Sequence, residues 1–519
     1  VAFCPAAVVD MVGATTGGAS MSEPIPTLVR YGQPAGRWVL LATVLGSGMA
    51  FIDTTVVNVA LQRIGTGLHA STSGLQWTVN GYTLSLAALI LLGGSLGDRF
   101  GRKRIFLIGV VWFACASLLC GLAPNVETLI SARVLQGIGG ALLTPGSLAI
   151  LEASFEPKDR AKAIGAWSGL GGIAGAVGPF LGGWLVQVAT WRLVFLINAP
   201  LAVIVVIIAL RHVPESRNPD SPRRLDVTGV LAGAAGLAGL TYGFTAWPAL
   251  GVTSPVVLAA LAVGVGGIAG FVVTERRSHH PMLPLEVFRS RTFTAANLVT
   301  FAMYSALGGV LFLVVLNLQV VAGFDPLAAG TALLPLTVLA LLLSARAGAL
   351  AQRIGPRIPM TVGPILAACA LVLFTRVGAH ASYLTSVLPA VILLGLGLSL
   401  TIAPLTATAL GAVDDRHAGV ASGVNNAVAR AAGLLAVAVL PLAAGLGAGS
   451  LTNPVDLGPT YRTAMLIGAG ILLVGATVAL VAVPKVIAKP GGLPVQPHCA
   501  VSGPPPLHPQ PTPQPAARV

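Results

Sequence analysis

Apolar positions along this chain run together instead of alternating. Stretches such as WVLLATVLGSGMAFIDTTVVNVA (38–60) and TAMLIGAGILLVGATVALVAV (463–483) stay apolar on every face of a helix. The hydrocarbon core of a bilayer is about 30 Å thick and takes roughly 20 apolar helical residues to cross. Continuous runs of that length predict membrane-spanning helices, whereas a transmembrane barrel alternates in short segments. Fourteen spans are expected, at 38–60, 75–97, 105–122, 127–151, 163–188, 193–210, 227–246, 254–274, 294–320, 328–350, 359–376, 384–405, 419–446 and 463–483. An even number of spans returns both termini to the same side.

The polar breaks between the runs choose that side, because cytoplasmic loops retain Lys and Arg. With the N-terminus inside, only Arg63, Arg192, Arg376 and Arg462 of the 30 Lys and Arg fall in outer segments. Arg133 and Arg430 fall within spans, and all the others lie at inner span ends, in inner loops or in the tails. The expected product is a multi-pass protein of the cytoplasmic membrane with both termini cytoplasmic. Charged residues make up 9% of the chain, against about 25% in soluble domains, and mean hydropathy is +0.86. Such a chain cannot clothe a soluble surface. Its net charge of +13 follows from the loop asymmetry and faces anionic lipid headgroups, so the lipid bilayer is the expected partner and nucleic acid is not.

A weak internal repeat divides the chain. GSLGDRFGRKR (94–104) follows the second span and GALAQRIGPRI (348–358) follows the tenth. Gly94, Leu96, Arg99 and Gly101 correspond to Gly348, Leu350, Arg353 and Gly355, while Gln352 stands opposite Asp98. Repeated loops of this kind accompany transporters built from two halves. Two six-helix bundles, 38–210 and 294–483, are expected, with two inserted helices in 227–274 between them. Residues 1–37 are expected to form a disordered cytoplasmic segment, with Met21 as the start of translation. The proline-rich stretch 484–519 is expected to form a disordered cytoplasmic tail.

Charge inside a span is expensive and marks function by default. Asp53 lies 15 residues past Trp38, roughly 22 Å along a helix. Arg133 enters the fourth span from the opposite direction and reaches a comparable depth. Burial raises a carboxyl pKa toward the range a proton carrier needs. The alternatives are a structural Asp and an Arg whose head snorkels to the interface. GLGGIAGAVGPFLGGWL (169–185) is dense in glycine around Pro179, which allows close helix approach and a kink. The five cysteines are scattered, and no metal spacing, nucleotide-binding loop or nucleophile set is apparent. No enzyme, cofactor or metal is therefore expected. The place of Arg430 in the thirteenth span is left open.

These motifs carry a resemblance. GSLGDRFGRKR resembles the signature loop of the major facilitator superfamily. In that superfamily the loop's acid and arginines form a relay that stabilises the outward-open state. The resemblance gives that role to Gly94, Asp98, Arg99, Gly101 and Arg102. FIDTTVVNVAL (51–61) resembles the first-span signature of the fourteen-span drug:proton antiporters, with Gln62 where proline is usual. SARVLQGIGGALLTP (131–145) resembles the fourth-span signature, whose arginine takes part in proton transfer. Gly175, Gly178, Pro179, Gly182 and Gly183 match the motif that separates exporters from importers. TWRLVFLINAPLA (190–202) resembles a further exporter run, with Leu193 in place of a tryptophan.

The resemblance implies an all-α membrane protein of the major facilitator fold. It also implies a monomeric antiporter that exports drug-like, amphipathic or cationic small molecules in exchange for protons. Proton coupling is assigned to Asp53 and Arg133. Candidate cavity residues are Asn58, Trp77, Tyr82, Gln136, Tyr304, Asn317, Gln319 and Asn425. One alternative keeps the fold for a single metabolite, such as a siderophore, amino acid or lipid. A more remote one is a membrane scaffold or sensor without transport.

Overall fold

A computed structural model describes residues 28–217, 226–278, 283, 285–413, 418–445, 451 and 453–485. Of the tails expected at 1–37 and 484–519, residues 1–27 and 486–519 lie outside the described residues, as does the proposed start at Met21, while Val29 pairs with Phe155 and Pro34 already opens α1.

Each apolar run forms a helix. In chain order these are α1 (Pro34–Gly67), α2 (Thr72–Phe100), α3 (Arg102–Leu122), α4 (Val126–Ser154), α5 (Pro157–Val188), α6 (Leu193–Leu196), α7 (Asn198–His212), α8 (Val227–Leu250) and α9 (Pro255–Arg277). They continue as α10 (Arg291–Val320), α11 (Pro326–Thr331), α12 (Leu334–Ile354), α13 (Arg357–Phe374), α14 (Leu388–Gly411), α15 (Ala418–Ala443) and α16 (Pro454–Ala482). The sixth expected span is broken at Ile197 into α6 and α7, and the tenth is broken between α11 and α12. Thirteen stretches among the described residues are long and apolar enough to cross a membrane as they stand. The fourteenth, α2, bends by 50° between Ile90 and Leu92.

Polar ends and apolar bodies follow from the need to satisfy backbone groups without water. Side chains of Ser71, Asn125, Asp226, Ser290 and Asp325 accept hydrogen bonds from backbone N–H groups in the first turns of α2, α4, α8, α10 and α11. Pro145, Pro179, Pro364 and Pro404 sit inside helices, which packed neighbours tolerate in a membrane. Hydroxyls within the spans donate to the preceding turn, as Thr54 does to the Ala50 carbonyl at 2.9 Å.

The first six spans pack as one group, chiefly through α2 on α4, α3 on α4, and α1 on α5 and α7. The last six pack through α10 on α15 and α16, and α13 on α14 and α16. Between them in sequence, α8 and α9 pack on each other, and α8 also touches both α2 and α15. Small residues set these approaches. A Cβ at Gly137 of α4 would fall 2.3 Å from the Tyr82 carbonyl oxygen of α2.

The two groups meet at the end remote from the N-terminus of α1, here called the far end. Gln76 Nε2 donates to the Val437 carbonyl, and Gln319 Nε2 to the Val59 carbonyl, each at 3.0 Å. Gly183 of α5 lies against the Pro326 carbonyl and Gly330 of α11 against the Pro179 carbonyl. Toward the other, basic end, α5 stands clear. A Cβ at Gly165, Gly169, Gly172 or Gly175 would meet nothing within 4 Å.

Candidate functional site

Five spans of the first group converge on a fully buried polar centre. Asp53 of α1 has 0% exposure and Arg133 of α4 has 1%. The Arg133 Nη1 donates to Asp53 Oδ2, forming a buried ion pair. The same nitrogen donates to Gln136 Oε1 at 2.7 Å, and Arg133 Nε donates to the Thr78 carbonyl at 2.9 Å. Gln136 Nε2 donates to Asp53 Oδ1 at 2.8 Å and to Ser117 Oγ at 3.1 Å. From α7, Asn198 Nδ2 donates to Ser117 Oγ at 2.9 Å and reaches Asp53 Oδ1 at 3.5 Å. Ser117 Oγ closes the network on the Phe195 carbonyl at 2.8 Å.

Sequence depth permitted contact between Asp53 and Arg133, and the fold makes it. Two charges in a dry interior hold together only when their remaining hydrogen-bonding positions are filled, and Gln136, Thr78 and Asn198 fill them. Aromatic walls enclose the pair. The Arg133 guanidinium lies 4.4 Å from the Tyr82 ring centroid and 5.8 Å from that of Phe195. Ser117, Thr78 and Asn198 were not singled out from sequence. Asn198 did stand in the exporter-like run TWRLVFLINAPLA, but Ser117 and Thr78 carry no signal in one dimension.

One residue along α1, Thr54 is exposed although it lies deep within its span. It adjoins the Tyr82 hydroxyl, so the surface it faces lies inside the protein, between helices. The dry ion pair is therefore one residue along α1 from an exposed surface.

The other candidate residues take varied places. Asn58 is partly buried with an unpartnered Oδ1. Trp77 turns toward the inserted helices, its ring 6.0 Å from that of Tyr242. Gln136 belongs to the Asp53 network and Gln319 to the far-end contact described above. Asn317 Nδ2 donates to the Val377 carbonyl at 2.9 Å, tying α10 to the turn after α13. Asn425 Nδ2 donates to Thr300 Oγ1 at 2.7 Å, joining α15 to α10. Tyr304 remains partly open on α10.

In the loop at the basic end, Asp98 accepts from Arg102 Nε at 2.8 Å, and Arg102 Nη1 reaches the Ala149 carbonyl at 3.4 Å. Arg99 lies 5.1 Å from the centroid of the Phe100 ring. Gly101 has φ +113°, and a Cβ there would fall 2.8 Å from the Glu215 carboxylate. That carboxylate caps α3 by accepting from the N–H groups of Lys103 and Arg104, where the helix dipole favours an anion. Gly94 has ordinary room beside Pro145. In α5, Gly178 and Gly182 press on Thr55 and Val56 of α1, Gly183 presses on α11, and Gly175 faces open space. Among the described residues no cluster of His, Cys, Asp and Glu could hold a metal ion.

Comparison with known proteins agrees with this architecture. The family model of the Major Facilitator Superfamily matches residues 43–437. The multidrug resistance protein Stp of Mycobacterium tuberculosis (strain CDC 1551 / Oshkosh) is 37% identical over 402 residues, covering 77% of this chain and 74% of that protein. The tetracenomycin C resistance and export protein of Streptomyces glaucescens is 37% identical over 403 residues, with the same coverages. Among solved structures, a bacterial homolog of the human lysosomal transporter Spinster superposes with a TM-score of 0.61 at 20% identity, covering 87% of this chain and 97% of that one. A polytopic helical fold in two groups, a matching family model over most of the chain and transporter relatives lead to one assignment: the chain belongs to the major facilitator superfamily and is a membrane transporter, not an enzyme.

Proposed function

We propose that this protein exports amphipathic, drug-like small molecules across the cytoplasmic membrane in exchange for protons, by alternating access. The observation that carries the proton role is the Asp53–Arg133 pair, dry and held in a hydrogen-bond network, one residue from the exposed surface of Thr54. The names of the relatives support the direction of transport and the class of cargo. The basic end is assigned to the cytoplasm, with both termini there, and the functional unit to a monomer. The far-end contacts and the uncovered half of α5 then correspond to an inward-open arrangement.

In this scheme the ion pair marks the state after proton release. Opening of the far end admits a proton to Asp53, which neutralises the carboxylate and frees Arg133 from it. Rocking of the groups carries the protonated acid to the inward-open state, where re-formation of the pair expels the proton. Asp98 and Arg102 pair within their own group in the arrangement described. Their proposed relay role belongs to the opposite, outward-open arrangement.

The test is substrate-driven proton movement in proteoliposomes containing wild-type protein or Asp53→Asn. Wild type is expected to move protons when an exported dye is added, and Asp53→Asn to lose both the proton signal and uphill export. Full, pH-dependent export by Asp53→Asn would remove the proton role. A second reading, a dedicated exporter of one compound, is favoured by the Streptomyces relative named for tetracenomycin C. A resistance panel in an otherwise susceptible host separates the two, since a dedicated pump protects against one member only.

A further inference from the structure

Besides Arg133, one other arginine lies deep within the spans. Arg430 sits 12 residues from the start of α15 and 13 from its end, roughly 18 Å along the helix either way, so its head cannot reach either interface by snorkelling. Its Nε is buried and has no hydrogen-bond partner, although part of the side chain remains open. α15 packs on α10 of the second group and on α2 of the first, and a Cβ at Gly433, one turn on from Arg430, would lie 3.8 Å from the Tyr304 carbonyl oxygen; the side chains of Tyr82 and Tyr304 act on its charge. Tyr82 belongs to the first group and Tyr304 to the second, so Arg430 faces the space between the groups. The Tyr82 hydroxyl, beside exposed Thr54, also lacks a hydrogen-bond partner of good geometry.

Arg133 and Arg430 thus differ in kind. Arg133 is neutralised by Asp53 and also donates to Gln136 and to the Thr78 carbonyl. Arg430 is a cation in a low-dielectric interior whose buried Nε donor meets no acceptor. Such a charge persists in a membrane interior only where it serves a ligand or ion, and a guanidinium matches planar oxyanions. We propose that Arg430, with the hydroxyls of Tyr82 and Tyr304, forms an anion-binding subsite of the transport cavity. It would take the carboxylate, sulfonate or acidic phenolate of an otherwise apolar cargo. This rests on the export reading and narrows its cargo to acidic amphiphiles. The location also gives coupling a physical route. The Tyr82 ring lies over Arg133 and its hydroxyl is unpartnered, so an anion bound between that hydroxyl and Arg430 would act on the neighbourhood of the Asp53 pair.

The test uses full-length protein in detergent and in proteoliposomes, with fluorescein as anionic probe, its uncharged ether-ester derivative as neutral control and ethidium as cationic control. Wild type is expected to bind fluorescein at least about tenfold more tightly than the neutral derivative, the scale of a charge-assisted hydrogen bond. Arg430→Gln is expected to lose that margin while its ethidium affinity stays within twofold, and Arg430→Lys to keep a part of it. Equal wild-type affinities for fluorescein and its neutral derivative overturn the proposal without any mutant, so a variant that fails to fold does not protect it. Undiminished fluorescein binding by folded Arg430→Gln also overturns it. Ethidium export by wild type alongside absent fluorescein binding defeats the subsite and leaves the export reading standing. Absence of export for every dye, with fluorescein binding intact and dependent on Arg430, defeats the export reading while supporting the subsite.

Discussion

Asp53 and Arg133 stand 80 positions apart in the chain and meet as an ion pair with 0% and 1% of their surfaces exposed. Each is the other's main compensation for leaving water. Removing one partner strands the other, a loss of about 3–5 kcal/mol in buried pairs.

Arg133→Met is therefore expected to lower thermal stability strongly, because Asp53 is left charged among apolar groups. Combining it with Asp53→Asn is expected to recover much of that loss, since the amide needs no counter-charge. Melting curves of the two single variants and the double variant, followed by size-exclusion fluorescence in detergent, measure the coupling. Additive losses in the double variant would show that the pair does not hold the centre.

Two glycines should respond in opposite ways to the same methyl group. A Cβ at Gly137 would lie 2.0 Å from Ser85 Oγ and 2.3 Å from the Tyr82 carbonyl, whereas one at Gly172 meets nothing within 4 Å. Gly137→Ala is expected to cost at least about 1–3 kcal/mol by overpacking and to depress export. Gly172→Ala is expected to be neutral in this arrangement. Protein yield, melting temperature and export rate distinguish them.

Far-end closure depends on backbone contact between α5 and α11. A Cβ at Gly330 would fall 2.2 Å from the Pro179 carbonyl. Gly330→Ala is expected to hold the far end apart and shift the population toward the opposite arrangement. Distances between spin labels at positions 127 and 455, one on each group, should lengthen in the variant. An unchanged distance distribution would show that the contact has room to yield.

One surface pair has a defined pH response. The hydrogen bond from Arg30 holds the Glu156 carboxyl below its ordinary value of 4.5. Stability from this pair is thus fully present above that ordinary value and is lost as pH falls through the lowered one. The pair lies at the surface, with the Arg30 side chain 59% and the Glu156 side chain 23% exposed, so solvent screening keeps the effect small. Glu156→Gln is expected to melt slightly below wild type at neutral pH, and the gap to close in strongly acidic solution. A gap that widens on acidification contradicts the assignment.

Span number and approximate limits were legible because an apolar run has few alternatives in a membrane. The runs at 105–122 and 384–405 correspond closely to α3 and to α14 with its preceding turn. Breaks inside spans do not show in run length, and their signal is instead a proline just beyond each break, Pro200 after Ile197 and Pro335 at the start of α12, where the missing N–H interrupts a continuous helix. At the site, cost alone exposed Asp53 and Arg133, for a charge deep in a span stands out. The partners that make those charges tolerable are ordinary polar residues. Ser117 and Thr78 matter through position in three dimensions, and Thr78 contributes only its backbone carbonyl. Gln319 illustrates the converse, because its polarity at a span end suggested a cavity while its amide instead joins α10 to α1.

The inserted helices α8 and α9 shape how a greasy cargo can approach. α8 lies across the seam by touching α2 and α15, while α9 leans on α8 and presents Val256, Leu258, Val263, Val265 and Val273 outward. Together they work as a gasket along one flank. On the proposed export reading, a molecule dissolved in the surrounding leaflet therefore meets a closed wall along this flank.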